Sequence, residues 1–201
     1  MEQSATSMFI AGSMFGSKSK ALMDLIEESH IDNSVKYLVF KPTKDTRDGL
    51  YVKSRVYDRI VKAFAWDQSY EDMRTIFDYV VGGFALTNPD ETKNLFFDEI
   101  HFLSKCELQF IIDTCKKYDV NFYGAGLETT FKLTNFESTE WFKDNCDSYI
   151  FYHGNCNGCG KEHSAVYNIL FDRGQRVTDG ADIQPGDAAY KVYCENCISK
   201  I

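Results

Sequence analysis

Apolar positions along this chain fall into short blocks whose period changes from two to near four and back. Residues 4–11 end in the run Met8-Phe9-Ile10-Ala11 and read as a strand. Residues 20–30 place Leu22, Met23, Leu25 and Ile26 on one side of a helix, with Glu27, Glu28 and Asp32 as its solvated face and exit. Residues 35–40 (VKYLVF) form a second buried strand, and 53–55 and 60–66 read as short strands. A second helix over 70–80 carries Met73, Ile76, Phe77 and Val80; a third over 106–118 carries Leu108, Phe110, Ile111, Ile112 and Cys115. Strands at 94–97 and 120–123 complete the alternation. Strand, helix, strand, helix in this order predicts an α/β fold, a mostly parallel sheet with helices on both faces.

Three strand ends carry chemistry. After the first strand comes Gly12-Ser13-Met14-Phe15-Gly16-Ser17-Lys18-Ser19, the strand, glycine turn and helix start of a phosphate-binding loop. Backbone N–H groups and the first helical turn face an anion there, Lys18 adds a point charge, and the Ser19 hydroxyl can ligate magnesium. The motif asks for glycine immediately before the lysine; here Gly16 comes one residue early and Ser17 takes that place. The second strand runs into Lys41-Pro42-Thr-Lys-Asp45-Thr46-Arg47-Asp48-Gly49, a polar loop where open α/β sheets collect ligand groups. The strand at 94–97 ends in Asp98-Glu99, where one carboxylate can hold magnesium and its neighbour can face a nucleophile.

Composition bounds the rest. A chain of 201 residues with 44% hydrophobic content can bury a real core, and a formal charge of −8 disfavours a duplex nucleic acid partner. No apolar run approaches the roughly 18 residues of a membrane span and no signal peptide is evident, so a cytoplasmic protein is expected. Seven cysteines include Cys156-x-x-Cys159 and Cys194-x-x-Cys197, a spacing that fits four thiolates on a structural zinc ion. Cys106, Cys115 and Cys146 have no partner at ligand spacing. We therefore expect a phosphate-loop domain over 1–150 and a zinc-binding domain over 151–201, with a hairpin in 165–172 and a long polar loop in 173–190 that can serve as a substrate lid.

Taken in order, these segments resemble the type II thymidine kinase family of cellular cytosolic and viral enzymes. The residues that carry the likeness are Met14 and Phe15 in the loop, Lys41-Pro42 with Asp45-Thr46-Arg47, Asp98-Glu99 followed by Phe102, Gly126-Leu127 through Phe131, and the cysteine pairs around a lasso ending in Tyr190. The resemblance implies transfer of the ATP γ-phosphate to the 5'-hydroxyl of thymidine or deoxyuridine. Glu99 would be the general base, Lys18 and Arg47 the charge stabilisers, Asp45 the residue that orients Arg47, and Ser19 and Asp98 the magnesium site. Met14, Phe102, Leu127, Thr130, Phe131 and Tyr190 would wall the pyrimidine pocket, and the backbone near Ile183 and Gly186 would read the base edge. The family also implies a homotetramer. The chain departs from the family pattern at Ser17, at His101 in place of glutamine, at Asn168 in place of arginine, and in having one lasso glycine, Gly186. Those departures keep an alternative open, a nucleotide-binding regulatory protein with a kinase-like fold and weak or lost catalysis.

Overall fold

A computed structural model describes residues 5–54, 59–181 and 190–201. The chain runs β1 (Ser7–Gly12), α1 (Lys18–Ile31), β2 (Val35–Pro42), β3 (Tyr51–Ser54), β4 (Arg59–Lys62), β5 (Phe64–Trp66), α2 (Met73–Ala85), β6 (Thr92–Phe97) and a 3-10 turn (Ile100–Phe102). It continues through α3 (Lys105–Lys117), β7 (Asn121–Leu127), α4 (Glu137–Asn145), β8 (Ser148–Tyr152), β9 (Tyr167–Asp172), β10 (Gln175–Arg176), β11 (Tyr190–Tyr193) and α5 (Glu195–Ile198).

The six-stranded sheet has the order β5-β2-β6-β7-β1-β8, and every pairing in it is parallel. Both of its faces are dry, and the period of two along each strand divides the core. Phe9, Ala11, Phe40, Leu95, Phe97 and Phe122 point to the side packed by α2, α3 and α4. Their neighbours Ile10, Val39, Phe96 and Ala125 point to the side covered by α1, with Val52 of β3 and Ala63. The predicted sheet with helices on both faces is what forms.

Local chemistry sets the helix ends. Ser104 and Glu107 make a reciprocal capping box at the start of α3: the Glu107 amide donates to Ser104 Oγ at 3.3 Å, and the Ser104 amide to Glu107 Oε2 at 2.8 Å. Glu107 also accepts from Trp66 Nε1 at 3.0 Å, which joins α3 to the edge strand β5.

Around the main sheet, α4 and β8 escape the sequence reading; beyond it β10, β11 and α5 do too. Residues 165–172, expected as a hairpin, hold the single strand β9, which pairs with β10 and β11. Of the nine residues of α4, Phe142 is the hydrophobic one fully buried and Trp141 packs partly buried beside the core, so its apolar stripe is narrow. Strand β8 lies at the sheet edge with Tyr149 and Ile150 exposed, so it lacks the dry pattern of the inner strands. The span 60–66 is also two strands: β4 pairs antiparallel with β3, and β5 joins the main sheet.

The parallel register brings the strand ends to one edge. Gly12 lies opposite Leu127 on one side and Tyr152 on the other, while Phe40 faces Phe97 and Phe97 faces Gly124. The loops after β1, β2, β6 and β7 therefore leave side by side.

Phe142 anchors α4, with its ring 5.3 Å from Phe9 and 5.5 Å from Phe122. Phe142→Ala is expected to cost about 3–5 kcal/mol in urea unfolding; a loss under about 1 kcal/mol would mean that α4 does not close this face.

Candidate active site

The turn between β1 and α1 is pinned by a main-chain atom of β8. A Cβ on Gly12 or on Gly16 would lie 2.3 Å from the Tyr152 carbonyl oxygen, so neither position has room for a side chain. The Ser13 amide donates to that same oxygen at 3.2 Å. Gly16 is thus required for space, while the left-handed backbone falls on the next residue. Ser17 has φ 69 and ψ 22 and its side chain caps nothing. Phe15 is also left-handed, with φ 60. Consensus places glycine where this chain has Ser17, and the strain expected from a Cβ there is present.

Lys18 opens α1 buried, with Nζ donating to the Ser13 carbonyl at 2.8 Å. Burial pulls its pKa down to about 8 against the pull of Glu99 and Asp98, with Arg47 adding to the decrease. Ser19, half-buried, follows in the same helical turn.

The loop after β2 supplies a chain of alternating charge. Lys41, 1% exposed, pairs with Asp45 at 2.9 Å and also donates to the Tyr51 carbonyl at 3.2 Å. Asp45 accepts Arg47 Nε at 2.8 Å, and the other end of that guanidinium meets Glu99 Oε1. Burial would raise Asp45, but Arg47 and Lys41 outweigh it and hold the carboxyl at about 2. Arg47 is correspondingly raised, burial being overcome by Glu99 and Asp45. Lys41 had no role in the sequence reading beyond its place in the loop; a lysine closing a six-residue apolar strand was the available signal.

Glu99 leaves β6 with φ 55, another non-glycine residue in the left-handed region. Burial opposes its ionisation, yet the cations around it lower its pKa overall. His101 is among the groups facing it, but burial holds that ring at about 4, so near neutral pH Arg47 and Lys18 supply the field. Asp98 moves the other way: burial, Glu99 and Asp45 push it up. Among the described residues its carboxylate takes one hydrogen bond, from the Glu99 amide at 3.1 Å. A buried carboxylate so poorly solvated fits a hard cation.

The loop after β7 closes the edge. The Leu127 amide donates to His101 Nδ1 at 3.2 Å, and the same ring nitrogen lies 3.3 Å from Glu99 Oε2. His101 packs on Phe102 and Phe136 at 4.6 and 5.0 Å. Met14, Phe102, Leu127 and Tyr190 are half-buried, whereas Thr130 and Phe131 are buried, with the Thr130 hydroxyl on that of Thr134 at 2.9 Å. Ile183 and Gly186 lie outside the described residues.

Beyond β8 the chain forms a small antiparallel sheet, β10-β9-β11, on which the cysteine pairs converge. The sulfur atoms of Cys156, Cys159, Cys194 and Cys197 all lie within 4.8 Å of one another, with Cys159 and Cys194 at 3.9 Å. A tetrahedron of Zn–S bonds has edges of about 3.8 Å, so the thiols fit a structural zinc site. Burial would raise Cys156, but amides of Cys194, Cys159 and Gly158 outweigh it and lower that thiol to about 6, while Cys197, hydrogen-bonded to Cys194 and its neighbours, is pushed up to about 12. No helix among the described residues is long and apolar enough to cross a membrane.

The parallel sheet and its crowded edge define an α/β protein of the phosphate-loop kind, carrying a four-cysteine metal knuckle. A family model described as Thymidine kinase matches residues 5–198, and the chain belongs to the thymidine kinase family. Similar curated proteins bear that same name. The one from Pseudothermotoga lettingae is 28% identical over 193 residues, covering 96% of this chain and 94% of its own length. The one from Shouchella clausii is 27% identical over 94% and 93% of the two chains, and that from Ureaplasma parvum serovar 3 is 26% identical over 96% and 78%.

Two outcomes are expected. Ser17→Gly removes a left-handed Cβ costing about 1–2 kcal/mol, partly offset by glycine entropy, and should raise unfolding free energy by about 0.5–1 kcal/mol; no gain in urea titration would mean the strain is relieved elsewhere. Removing metal with a strong chelator should release zinc in a colorimetric assay and lower Tm by about 10 °C; an unchanged melt would separate the knuckle from stability.

Proposed function

We propose that this protein phosphorylates thymidine, and by extension deoxyuridine, at the 5'-hydroxyl with ATP as donor. The observation that carries the reading is the convergence of Lys18, Arg47 and Glu99 at one strand edge, Lys18 and Glu99 buried and Arg47 part-exposed, with Glu99 paired to Arg47 and within the field of Lys18.

Phosphoryl transfer asks for positioning and neutralisation more than for covalent chemistry. Gly12 to Ser19 would cradle the phosphates with backbone N–H groups, Lys18 and Arg47 would meet the charge that develops on the transferred group, and Asp45 would fix the guanidinium plane. Glu99, kept ionised by its cationic neighbours, would accept the 5'-hydroxyl proton. Ser19 and Asp98 would hold Mg2+, which supplies charge neutralisation at the phosphates when bound. Met14, Phe102, Leu127, Thr130, Phe131 and Tyr190 would shape the pyrimidine pocket, completed by backbone at Ile183 and Gly186. The four cysteines would carry structural Zn2+.

The test uses labelled ATP with thymidine and deoxyuridine. Glu99→Gln should lower kcat by about 10² to 10⁴ with the thymidine KM little changed. Near-normal turnover in that variant would remove Glu99 as the base. Binding of ATP by the unaltered protein without any phosphorylation would instead favour a regulatory nucleotide-binding protein.

A further inference from the structure

The small sheet does more than carry the cysteines, because it reaches the two loops that flank the proposed substrate cleft. Alternation along β9 sends Ile169 into the cluster formed with Cys156, Tyr193, Cys194 and Cys197, and sends Asn168 the opposite way. Asn168 is 1% exposed and lies opposite Val192 of β11, two residues before Cys194. Its side-chain oxygen accepts the Met14 amide at 2.6 Å, and its side-chain nitrogen donates to the Thr129 carbonyl at 3.1 Å. Beside it, the Gly154 amide donates to Ser13 Oγ at 2.9 Å.

We propose that Asn168 is a positioning residue that ties the phosphate loop to the loop after β7, fixing the width of the cleft between them from the metal-knuckle side. The chemistry selects an amide. Met14 offers an N–H and needs an acceptor; Thr129 offers a carbonyl and needs a donor. A planar amide meets both with one buried group. Aspartate keeps the acceptor but turns a second acceptor on the Thr129 carbonyl, and leucine keeps the shape but loses both bonds. Arginine, which the resemblance places here, has donors and no acceptor, so it could not hold the Met14 amide. The departure noted in the sequence thus comes with its own two-sided junction.

The junction can be tested without assuming any activity, by site-resolved hydrogen exchange on the full chain with no nucleotide added. In Asn168→Leu the Met14 amide should exchange about tenfold faster, the size of one lost hydrogen bond, and the segment 127–134 should also speed up. In Asn168→Asp, Met14 should stay within about twofold of the unaltered protein while 127–134 still loosens. Thermal melting and zinc content confirm that each variant is folded; if Asn168→Leu does not fold, the Asn168→Asp pattern decides. Unchanged exchange in both segments, or the same pattern in both variants, would overturn the proposal. A kinetic split follows, and it rests on the kinase reading above. Asn168→Leu should raise KM for both ATP and thymidine about tenfold, and Asn168→Asp that for thymidine, with ATP within about twofold. If the unaltered protein phosphorylates no nucleoside, the kinase reading falls while the exchange result still judges the junction. Equal KM values in all three proteins would overturn the positioning role.

Discussion

Most charges in this protein's cleft are held out of bulk water, and Lys41, Asp45 and Glu99 are tolerable there because each has an opposite beside it, with the part-exposed Arg47 joining two of them. Lys41, Asp45, Arg47 and Glu99 follow one another in alternating sign, and Lys18 and Asp98 complete the group. Isolated, any of them would be expelled to solvent or neutralised. Together they form a rigid array whose members bias one another's protonation, which is the preorganised field that transfer of a charged group requires. Much of the remaining architecture can be understood as the means of assembling that array. The parallel register lines up four strand ends, the two-sided dry core makes the register stiff, and the capping box with Trp66 fastens the edge strand that lies beside β2.

How much of this could be read from sequence depended on whether the signal was local. The inner strands and the three long helices announced themselves because a dry sheet and a one-sided helix each impose a period on the chain. The carboxylates after Phe97 and the loop after Ala11 were visible because they sit at strand ends, where side chains leave the core together. Strand β8 and helix α4 were hidden for the same physical reason inverted. An edge strand and a helix anchored by one phenylalanine need little patterning, so they leave little trace. The span 60–66 was visible as extended chain, but its division between two sheets depends on partners far away in sequence.

The site divides along the same line. Glu99, Arg47, Asp45 and Lys18 are legible by type and position; Asp45, Arg47 and Glu99 form one run of ion pairs, and Lys18, bonded to the Ser13 carbonyl, lies within their field. Buried Lys41, the carbonyl of Tyr152 and the two-sided grip of Asn168 are not legible in that way. Backbone atoms carry no residue signature, and a lysine ending an apolar strand looks like an exit to solvent until its partner is seen. The glycine displaced by one residue was legible as an anomaly. Its meaning lies in the fold, where the two demands of the loop, space and left-handed backbone, fall on Gly16 and Ser17 separately.

That separation makes the anchoring of the loop unequal in its sensitivity to mutation. On one side stands the carbonyl of Tyr152, an oxygen that any of the twenty amino acids would supply. On the other stand Gly12 and Gly16, where any added carbon collides with it. A library of substitutions would find position 152 permissive as far as this contact goes, and 12 and 16 closed. The geometry of the loop is therefore guarded by residues without side chains against a partner that cannot lose its half of the contact, and it can drift in sequence from one direction only.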